Sequence, residues 1–551
     1  TSSLIQIHTN IDKFRHNTNV NNSGDRTGAD REETMNRKLR LRTINLTIVV
    51  ASVALVNALA SPAVGQNPKK GGTLIVAMDR PMTGFDSSMN PRPEYNRRNA
   101  MLPVYEDLFT EDKDGKLVPV LGLGLKNSPD MKTWTVMLRE GVRFSNGEML
   151  TADAYVVHFK RYMASRSWGF LRGMVGPIKE VIAVDKQTVE FRMLRPYPAF
   201  RAIISNPVYP MWVNAPKHSK RVGRDLNKQP IGTGPYKLQS WVPGESITYV
   251  KNPNYWNPAN QHLDKIVFTV IKGESSRLNS LKSGAIDVFL TRDGKTANQA
   301  KKDTGLQVIT ELVGGTTTIE FNTARGALTD LRVRKALAHG VNRLVDIKAA
   351  NDGFGRPSTD WFGPSSAWAC GNTTEYPEFN PRKAKALLNA YGKPVSIKMV
   401  TMATKNFVVG AQIHQTFWKR LGIEIELKVV PPGPTYFREL RSGKWDAWLV
   451  GISEAVDPGL QAQAFHSKNR ANVTKIKVPE IDAAIENAWR SFRNRETRKQ
   501  AYCDYVKAVV KYQPVLFRSH NNFALIAGHH VKGLAKPRLT ISRLHEAWLD
   551  R

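Results

Sequence analysis

The stretch Trp134-Thr-Val-Met-Leu-Arg-Glu-Gly-Val-Arg-Phe-Ser-Asn-Gly-Glu-Met-Leu-Thr-Ala-Asp153 decides the fold class of this chain. Residues 134–138 alternate in side-chain character and are rich in β-forming residues, which predicts a strand. Asn146-Gly147 predicts a turn, and Thr151 predicts the N-cap of a helix that runs to about Met163. A strand, a turn and a helix in direct succession are typical of a chain that mixes both kinds of element.

The same alternation recurs along the chain. Strands are predicted at 73–77, 187–193, 266–271, 395–401 and 424–430, and helices at 381–389 and 410–421. The fold class is therefore α/β, with several short sheets. A polar stretch punctuated by Pro and Gly, from Arg80 to about Arg98, predicts a long irregular loop of the kind that often carries function.

Composition indicates a large globular protein with an unusual charge. The 551 residues are too many for one hydrophobic core, and the mean hydropathy of −0.38 excludes a largely membrane-embedded chain. The formal net charge is +32, but the basic residues are scattered. Because no alternating aromatic platforms and no zinc-finger or basic-zipper pattern accompany them, we do not expect binding to nucleic acid.

The N-terminal region predicts export. Met35 is followed by four basic residues up to Arg42, an apolar run from Ile44 to Ala60 and then small residues, which together predict a cleavable signal peptide at 35–66. The run is short for a membrane anchor. Residues 1–34 are expected to be disordered or to lie upstream of the true start. Without residues 1–66, which carry eight Lys/Arg and five Asp/Glu, the formal charge falls only from +32 to +29.

Cysteine and catalytic motifs are sparse. Cys370 and Cys503 are the two cysteines, and their spacing leaves open whether they pair. With no cysteine near the cleavage point, a lipid anchor is not expected, so the product is predicted to be free in the periplasm. The sequence has no Gly-x-Ser-x-Gly or His-Glu-x-x-His motif, and His529-His530 lacks a visible third ligand. We therefore predict no enzyme activity, no metal and no cofactor.

Three ordered sets of motifs carry a resemblance to a known family. The first is the 134–153 stretch. The second is Pro230-Ile-Gly-Thr-Gly-Pro-Tyr236 with Asn252-Pro-Asn-Tyr-Trp256, 263–266 and Ser283-Gly-Ala-Ile-Asp287. The third comprises Phe321-Asn-Thr323, 330–337, Asn342-Arg343, 383–388 and 421–423. In this order, over most of residues 71–540, they resemble the family 5 extracellular solute-binding proteins of ABC importers, which include peptide-, nickel- and opine-binding members.

The resemblance implies a two-lobed periplasmic-binding-protein (Venus flytrap) fold. The first lobe would comprise residues 67–325, with an extra subdomain at about 103–229, and the second lobe residues 326–510. Residues 511–551 would return to the first lobe. The chain would cross between lobes at Phe321-Asn322 and at Gln513-Pro514, which makes these residues the expected hinge.

The resemblance also implies where a ligand would bind, namely between the lobes. Carried over by position, the ligand-binding residues would be Phe85, Tyr95, Asn96, Trp361, Phe362, Thr401, Lys405, Ser453, Glu454 and Asp457. Peptide binders place an aspartate in the loop before Asp457-Pro458, and by eye that position is Ala455 here. Lys405 would serve an anionic group only as a point charge, because it lacks the fork of an arginine.

The sequence is compatible with three functions. The leading one is capture of a peptide or peptide-like solute for an ABC importer permease, by a monomer without a stable membrane anchor. A second is the same fold holding an opine, a sugar-phosphate conjugate, an oligosaccharide or a metal chelate. The third is a basic periplasmic chaperone-like protein that binds unfolded chains or the anionic envelope.

Overall fold

The computed structural model describes residues 67–89, 95–112, 116–168, 175–205, 211–312, 315–364, 366–371, 375–453, 457–469, 471–536 and 542–551. The predicted signal peptide at 35–66 and the segment 1–34 lie outside these residues. None of the helices in the described part of the chain combines the length and the apolar character needed to cross a membrane.

Strands are short and spread over the whole chain. In chain order they are β1 (Thr73–Met78), β2 (Phe109–Glu111), β3 (Leu117–Pro119), β4 (Gly122–Asn127), β5 (Thr133–Leu138), β6 (Ile178–Ala183), β7 (Thr188–Met193), β8 (Tyr236–Val242), β9 (Ser246–Lys251), β10 (Lys265–Val270), β11 (Val288–Thr291), β12 (Leu306–Leu312), β13 (Gly315–Phe321), β14 (Gly355–Pro357), β15 (Ser396–Met402), β16 (Glu424–Val430), β17 (Ala447–Ser453), β18 (Val515–Gly528), β19 (Val531–Lys532) and β20 (Trp548–Leu549).

Helices alternate with these strands. They are α1 (Tyr95–Met101), α2 (Ala152–Met163), α3 (Phe200–Ile203), α4 (Pro216–Val222), α5 (Glu274–Lys282), α6 (Gly294–Ala300), α7 (Leu331–His339), α8 (Arg343–Asn351), α9 (Pro381–Tyr391), α10 (Lys405–Lys419), α11 (Pro434–Ser442), α12 (Gly459–Ala462), α13 (Pro479–Arg490) and α14 (Arg495–Tyr512). The mixed α/β class expected from the sequence is confirmed.

The strand, turn and helix of the 134–153 stretch form as predicted. They are β5, a turn in which Gly147 adopts a φ of +89°, and α2. Thr151 holds the N-cap position of α2, but its side chain makes no cap hydrogen bond. Asp330, at the N-cap of α7, accepts a hydrogen bond from the backbone N–H of Arg332 at 2.8 Å.

Two predicted boundaries are wrong. The stretch from Arg80 to about Arg98 is not wholly irregular, because it ends in α1, which carries Tyr95 and Asn96. The Arg97 guanidinium donates to the carbonyl oxygen of Gly84 at 2.6 Å and ties this short helix to the preceding loop. Helix α10 begins at Lys405 rather than at Gly410, so Lys405 occupies its first turn.

A twelve-stranded sheet organises most of the molecule. Its central path is β16-β15-β17-β13-β18-β11-β1-β10-β9-β8, and β12 and β14 also pair with β18. The long strand β18 joins two parts of this sheet. Its residues 515–521 pair with β13 and β14, and its residues 522–528 pair with β12 and β11. We call the part that holds β1 the first sheet and the part that holds β17 the second sheet.

The change from one sheet to the other does not coincide with the residues expected to form the hinge. It occurs at residues 519–522 of β18 and, opposite them, between Leu312 and Gly315. Phe321 and Asn322, with Gln513 and Pro514, lie instead at the far end of β13, where the Phe321 N–H donates to the Pro514 carbonyl oxygen at 2.9 Å. We call residues 519–522 of β18, together with Leu312 and Gly315 opposite them, the junction.

A separate core forms between Leu108 and Ala215, within the region where the sequence predicts a subdomain. It is built on a four-stranded antiparallel sheet, β4-β5-β7-β6, against which α2 packs. Alternate residues of β5, Trp134, Val136 and Leu138, face this core and are almost fully buried. The 134–153 stretch thus supplies one strand of this sheet and the start of the helix that packs on it.

The second sheet is covered on both faces. Ile319 of β13 packs into a core with α7 and α10, whereas Phe517 of β18 packs into another core with α13 and α14. Cys370 and Cys503 lie in the α13–α14 core and form a disulfide, with their Cα atoms 5.5 Å apart. The pairing that the sequence left open is thereby resolved.

Candidate functional site

The strand directions bring two sheet edges together at the junction. In the first sheet β1, β10 and β11 run parallel, and in the second sheet β15, β16 and β17 do so. Thr291, the last residue of β11, pairs with Ala524 of β18. Ser453, the last residue of β17, pairs with Gly315 at the start of β13. The carboxyl ends of both sets of parallel strands therefore point at the junction, the edge at which α/β proteins commonly bind ligands.

On the first-sheet side an aromatic and cationic group lies at this edge. The Tyr95 ring meets the Phe523 ring edge-on, with centroids 5.5 Å apart. The Arg292 guanidinium, directly after β11, lies 5.4 Å from the Tyr95 ring centroid and 5.7 Å from that of Phe523. Two rings hold this cation at the start of the next helix, and stacked arginines of this kind can bind planar anionic groups.

A buried polar contact fixes Tyr95 and its neighbour. Asp79, the residue after β1, accepts a hydrogen bond from the Asn96 amide and one from the Tyr95 hydroxyl. Burial raises the pKa of the Tyr95 hydroxyl, and the Asp79 carboxylate raises it further. Although burial opposes it, the Arg80 guanidinium lowers the pKa of Asp79. At neutral pH the phenol is therefore a donor to an ionised carboxylate.

On the second-sheet side the edge is formed by the ends of β15 and β17. Thr404 is the N-cap of α10, and Lys405 lies exposed in its first turn, which contains no acidic residue. The positive end of this 15-residue helix and a lysine thus share one corner of the edge. Thr401 is fully buried in β15, and its hydroxyl has no hydrogen-bond partner among the described residues. The backbone of Ser453 is paired with Gly315.

Phe85, Trp361 and Phe362, which the sequence places at the site, pack in cores instead. The Phe85 ring is edge-on to Trp241 at 5.8 Å, inside the core of the first sheet. Trp361 stacks on Tyr505 with centroids 5.2 Å apart, and Phe362 belongs to the same core beside α14. Hydrophobic packing accounts for the burial of all three rings.

Asp457 has a partner within its own half of the molecule. Both of its carboxylate oxygens accept from the Arg498 guanidinium, at 2.6 Å each, and both side chains are buried. A bidentate pair of this kind leaves little of the charge for a ligand. The structure thus places Asp457 in an ion pair with α14. Glu454 lies outside the described residues.

The sequence reasoning missed Asp79, Arg292 and Phe523. Asp79 and Arg292 each follow the last residue of a parallel strand, β1 or β11. The rule that ligands bind at the carboxyl ends of such strands could have identified both. Phe523 gave no signal, because its place at the junction depends on which half of β18 pairs with which sheet.

The two histidines at the end of β18 have separate partners. His529 Nε2 lies 3.0 Å from the Thr304 carbonyl oxygen, and His530 Nε2 lies 2.8 Å from Asp287. Asp287 closes the Ser-Gly-Ala-Ile-Asp motif and also accepts from the Ile75 N–H at 2.7 Å. The motif is therefore a structural tie between β1, β11 and the C-terminal segment.

The family model and the relative that match this chain are both of solute-binding proteins. Residues 116–472 match the family model of the bacterial extracellular solute-binding proteins, family 5. The glutathione-binding protein GsiB of Salmonella typhi is 27% identical over 334 residues, which cover 60% of this chain and 64% of that protein. The match therefore spans less than two thirds of the length of this relative.

Solved structures share the fold over nearly their whole length. The periplasmic binding protein DppA from Helicobacter pylori, in complex with the peptide STSA, superposes with a TM-score of 0.74 at 22% identity, covering 88% of this chain and 99% of that one. The binding protein AgaA from A. tumefacien R10, in complex with agropinic acid, gives a TM-score of 0.73 at 21% identity, covering 87% and 99%. These likenesses confirm the α/β periplasmic-binding-protein fold.

Proposed function

Because the chain belongs to the family 5 bacterial extracellular solute-binding proteins, we propose that it captures a small carboxylate-bearing solute at the junction and delivers it to an ABC importer permease. The observation that supports this most directly is the meeting of two carboxyl-terminal strand edges at the junction. A solute held there would touch both sheets, and its binding energy would favour a closed arrangement of the two halves.

The charges at the junction favour an anionic group on the solute. Arg292 lies on the first-sheet side, and Lys405 with the N-terminus of α10 lies on the second-sheet side. Peptides, glutathione and agropinic acid all carry carboxylates, and relatives of this chain are named for, or solved with, these compounds. A peptide or a peptide-like molecule such as glutathione is therefore the leading solute, and an opine is the alternative.

Export and assembly form part of the same proposal. The segment 35–66 has the composition of a cleavable signal peptide, which would deliver the mature chain to the periplasm. The protein would act there as a monomeric binding protein rather than as an enzyme. Its two lobes would move about the junction, at 519–522 and between Leu312 and Gly315, because these two crossovers are where the sheets are joined.

Calorimetric titration of the mature protein with a panel of di- and tripeptides, glutathione and opines tests this function. We expect saturable binding of at least one panel member, and at least about tenfold weaker binding in Arg292→Ala, since charge-assisted hydrogen bonds are among the strongest polar contacts. Lys295→Ala is the matched control, because it removes an exposed cation from the adjoining helix α6.

Two results would contradict the proposal. One is binding of the solute with equal affinity in Arg292→Ala and Lys295→Ala. The other is the absence of binding to any anionic solute while the protein associates in a salt-sensitive way with anionic vesicles, which would favour the envelope-binding alternative.

A further inference from the structure

Helix α8 and the turn after it connect the two sheets by a route separate from the two crossovers of the junction. The turn spans residues 351–354 and is closed by the Phe354 N–H, which donates to the Asn351 carbonyl oxygen at 2.8 Å. Gly355 then begins β14, which pairs with β18. We call residues 351–354 the α8 turn. The helix and its turn pack against different sheets.

Helix α8 is fixed to the second sheet by polar contacts. Asp346 of α8 forms an ion pair with Arg518 of β18, whose Nη2 donates to the carboxylate at 2.8 Å, and both side chains are buried. One turn earlier, the Arg343 guanidinium donates to the Phe517 carbonyl oxygen at 3.3 Å. The helix also contacts α10, which covers one face of the same sheet. We therefore expect α8 to move together with the second sheet.

The α8 turn is instead buried against the first sheet. Phe354 is 3% exposed and lies in one core with Ala77 of β1, Phe289 of β11 and Ala524 of β18. The Lys301 ammonium group, just after α6, lies 5.6 Å from the centroid of the Phe354 ring. Because burial of a phenyl ring is favourable, this core holds the turn on the first sheet.

Hydrogen bonds with α6 fix the position of the α8 turn. The Gly294 N–H, at the start of α6, donates to the Asn351 side-chain oxygen at 3.0 Å, and the Asn351 amide donates to the Phe354 carbonyl oxygen at 2.9 Å. The Asn298 amide donates to the Asp352 carbonyl oxygen at 3.2 Å. A Cβ at Gly294 would lie 2.0 Å from the Asn351 carbonyl oxygen, so a glycine is needed for this close approach.

The α8 turn lies directly beside the junction. Gly355, the next residue, pairs with Asn521 of β18, and a Cβ at Gly355 would lie 2.7 Å from the His520 carbonyl oxygen. Asn521 and His520 belong to the segment of β18 at which one sheet gives way to the other. Points close to a rotation axis move least, so a rotation of the sheets about the junction would displace the turn only slightly.

From this arrangement we propose that the α8 turn is a third joint of the hinge, at which Phe354 stays in the first sheet while α8 moves with the second. Two strand crossovers alone would also let the sheets twist against each other, whereas a third attachment beside them restricts the motion to one axis. The inference rests on the proposed function, in which the two halves close over a solute. A restricted hinge loses less freedom on closing, which leaves more of the binding energy for affinity.

Distances between spin labels on the two halves, measured by double electron–electron resonance on the mature protein without added solute, test this joint. Ser283→Cys, directly after α5, and Ser442→Cys, at the end of α11, give exposed labelling sites, and the two native cysteines are joined in a disulfide. We expect Gly294→Ala to broaden the distance distribution, because the added Cβ displaces the α8 turn. The matched control Gly305→Ala, whose Cβ would meet only the Asp303 carboxylate, at 3.3 Å, should leave the distribution unchanged.

A second variant guards against misfolding. Asn351→Ala removes two hydrogen bonds of the α8 turn but leaves Phe354 in its core, so it should also broaden the distribution, while a thermal unfolding curve shows that it is folded. In both variants the solute affinity should fall at least about threefold.

Two results would overturn the proposal. One is a distance distribution as narrow as that of the wild type in both Gly294→Ala and Asn351→Ala. The other is equal broadening in Gly294→Ala and Gly305→Ala. Because the label distances require no solute, a failure of the wild-type protein to bind any solute would count against the proposed function and not against the third joint.

Discussion

Glu106, which lines a cavity of about 160 Å³, is half-buried, and Glu320 in the second sheet is buried, and desolvation raises the pKa of each carboxyl to about 7. Their surroundings nevertheless differ. Glu106 accepts from Tyr255 and Trp256 and borders an open cavity, whereas Glu320 Oε2 has no hydrogen-bond partner among the described residues. A raised pKa therefore occurs both for Glu106, whose carboxyl has hydrogen-bond partners, and for Glu320, whose Oε2 has none among the described residues.

The two glutamates are therefore expected to differ in what they contribute to the stability of the fold. Removing Glu106 would leave the half-buried Tyr255 hydroxyl and Trp256 indole without this acceptor, which costs stability. Glu320 lies on β13 opposite Trp448, and its charge contributes to the raised pKa of Tyr436 in α11 and of Tyr505 in α14. Burial is the one cause that shifts the pKa of Glu320 itself, so a carboxyl there gains little to offset its desolvation. A raised carboxyl pKa thus indicates a functional site only where neighbouring groups also form hydrogen bonds with the carboxyl.

The largest effect is expected from Glu106→Ala. The Tyr255 hydroxyl and the Trp256 indole lose their acceptor and a cavity is left, so the free energy of unfolding should fall by about 3–5 kcal/mol. Urea denaturation of the mature protein measures this change. A loss below about 1 kcal/mol, as expected for the exposed control Glu140→Ala, would remove the contrast between the two glutamates.

The opposite sign is expected for Glu320→Met. Replacing an unsatisfied buried carboxyl by an apolar side chain of similar length should raise the free energy of unfolding at pH 8 by roughly 1–3 kcal/mol. The same denaturation experiment measures it. If the variant proved less stable than the wild type, Glu320 would have to be satisfied in a way that the described contacts do not include.

The pH dependence of the free energy of unfolding should distinguish Glu320 from an ordinary carboxyl. Since the folded pKa of Glu320 is about 7 and its ordinary value is 4.5, its contribution is full below about pH 4.5 and is lost as the pH rises to about 7. Glu320→Gln should therefore flatten the fall of stability over this range, by up to about 1.4 kcal/mol per pH unit. A variant whose pH profile parallels that of the wild type would show that Glu320 titrates normally.

The smallest effect is expected from Tyr255→Phe. This change removes one donor to Glu106 and leaves the Trp256 indole in place, so the unfolding free energy should fall by about 1 kcal/mol. Chemical denaturation resolves a difference of this size when the wild type is measured in parallel. An effect as large as that of Glu106→Ala would mean that Trp256 contributes nothing to the contact.

Local structure was predictable because it depends on neighbouring residues. The alternation at 424–430 gave the bounds of β16, and the 134–153 stretch gave β5 and α2 nearly to the residue. The disulfide and the Asp457–Arg498 pair were not predictable, because each joins segments that meet only through tertiary packing. The position of the junction was not predictable, because β18 continues unbroken through both sheets and sequence alone does not give strand register.

The site was predictable only in part for the same reason. Tyr95 and Asn96 lie at the junction edge, because the chain after β1 must pass the carboxyl end of the first sheet, and their role in ligand binding stays a prediction. Phe85 lies in the same stretch but packs against Trp241, and nothing in its sequence context separates a core ring from a pocket ring. Arg292 was overlooked because it follows a four-residue strand, β11, that no alternation revealed.

The central claim is that a solute binds where the two strand edges meet. The most direct test is a crystal structure of the mature protein purified without refolding or added ligand, combined with mass spectrometry of the bound material. We predict density for a small anionic solute at the junction, in contact with Arg292 or Tyr95 on one side and with the ends of β15 and β17 on the other. A bound solute that contacts only one sheet, or a loaded protein whose junction holds no solute, would contradict this account.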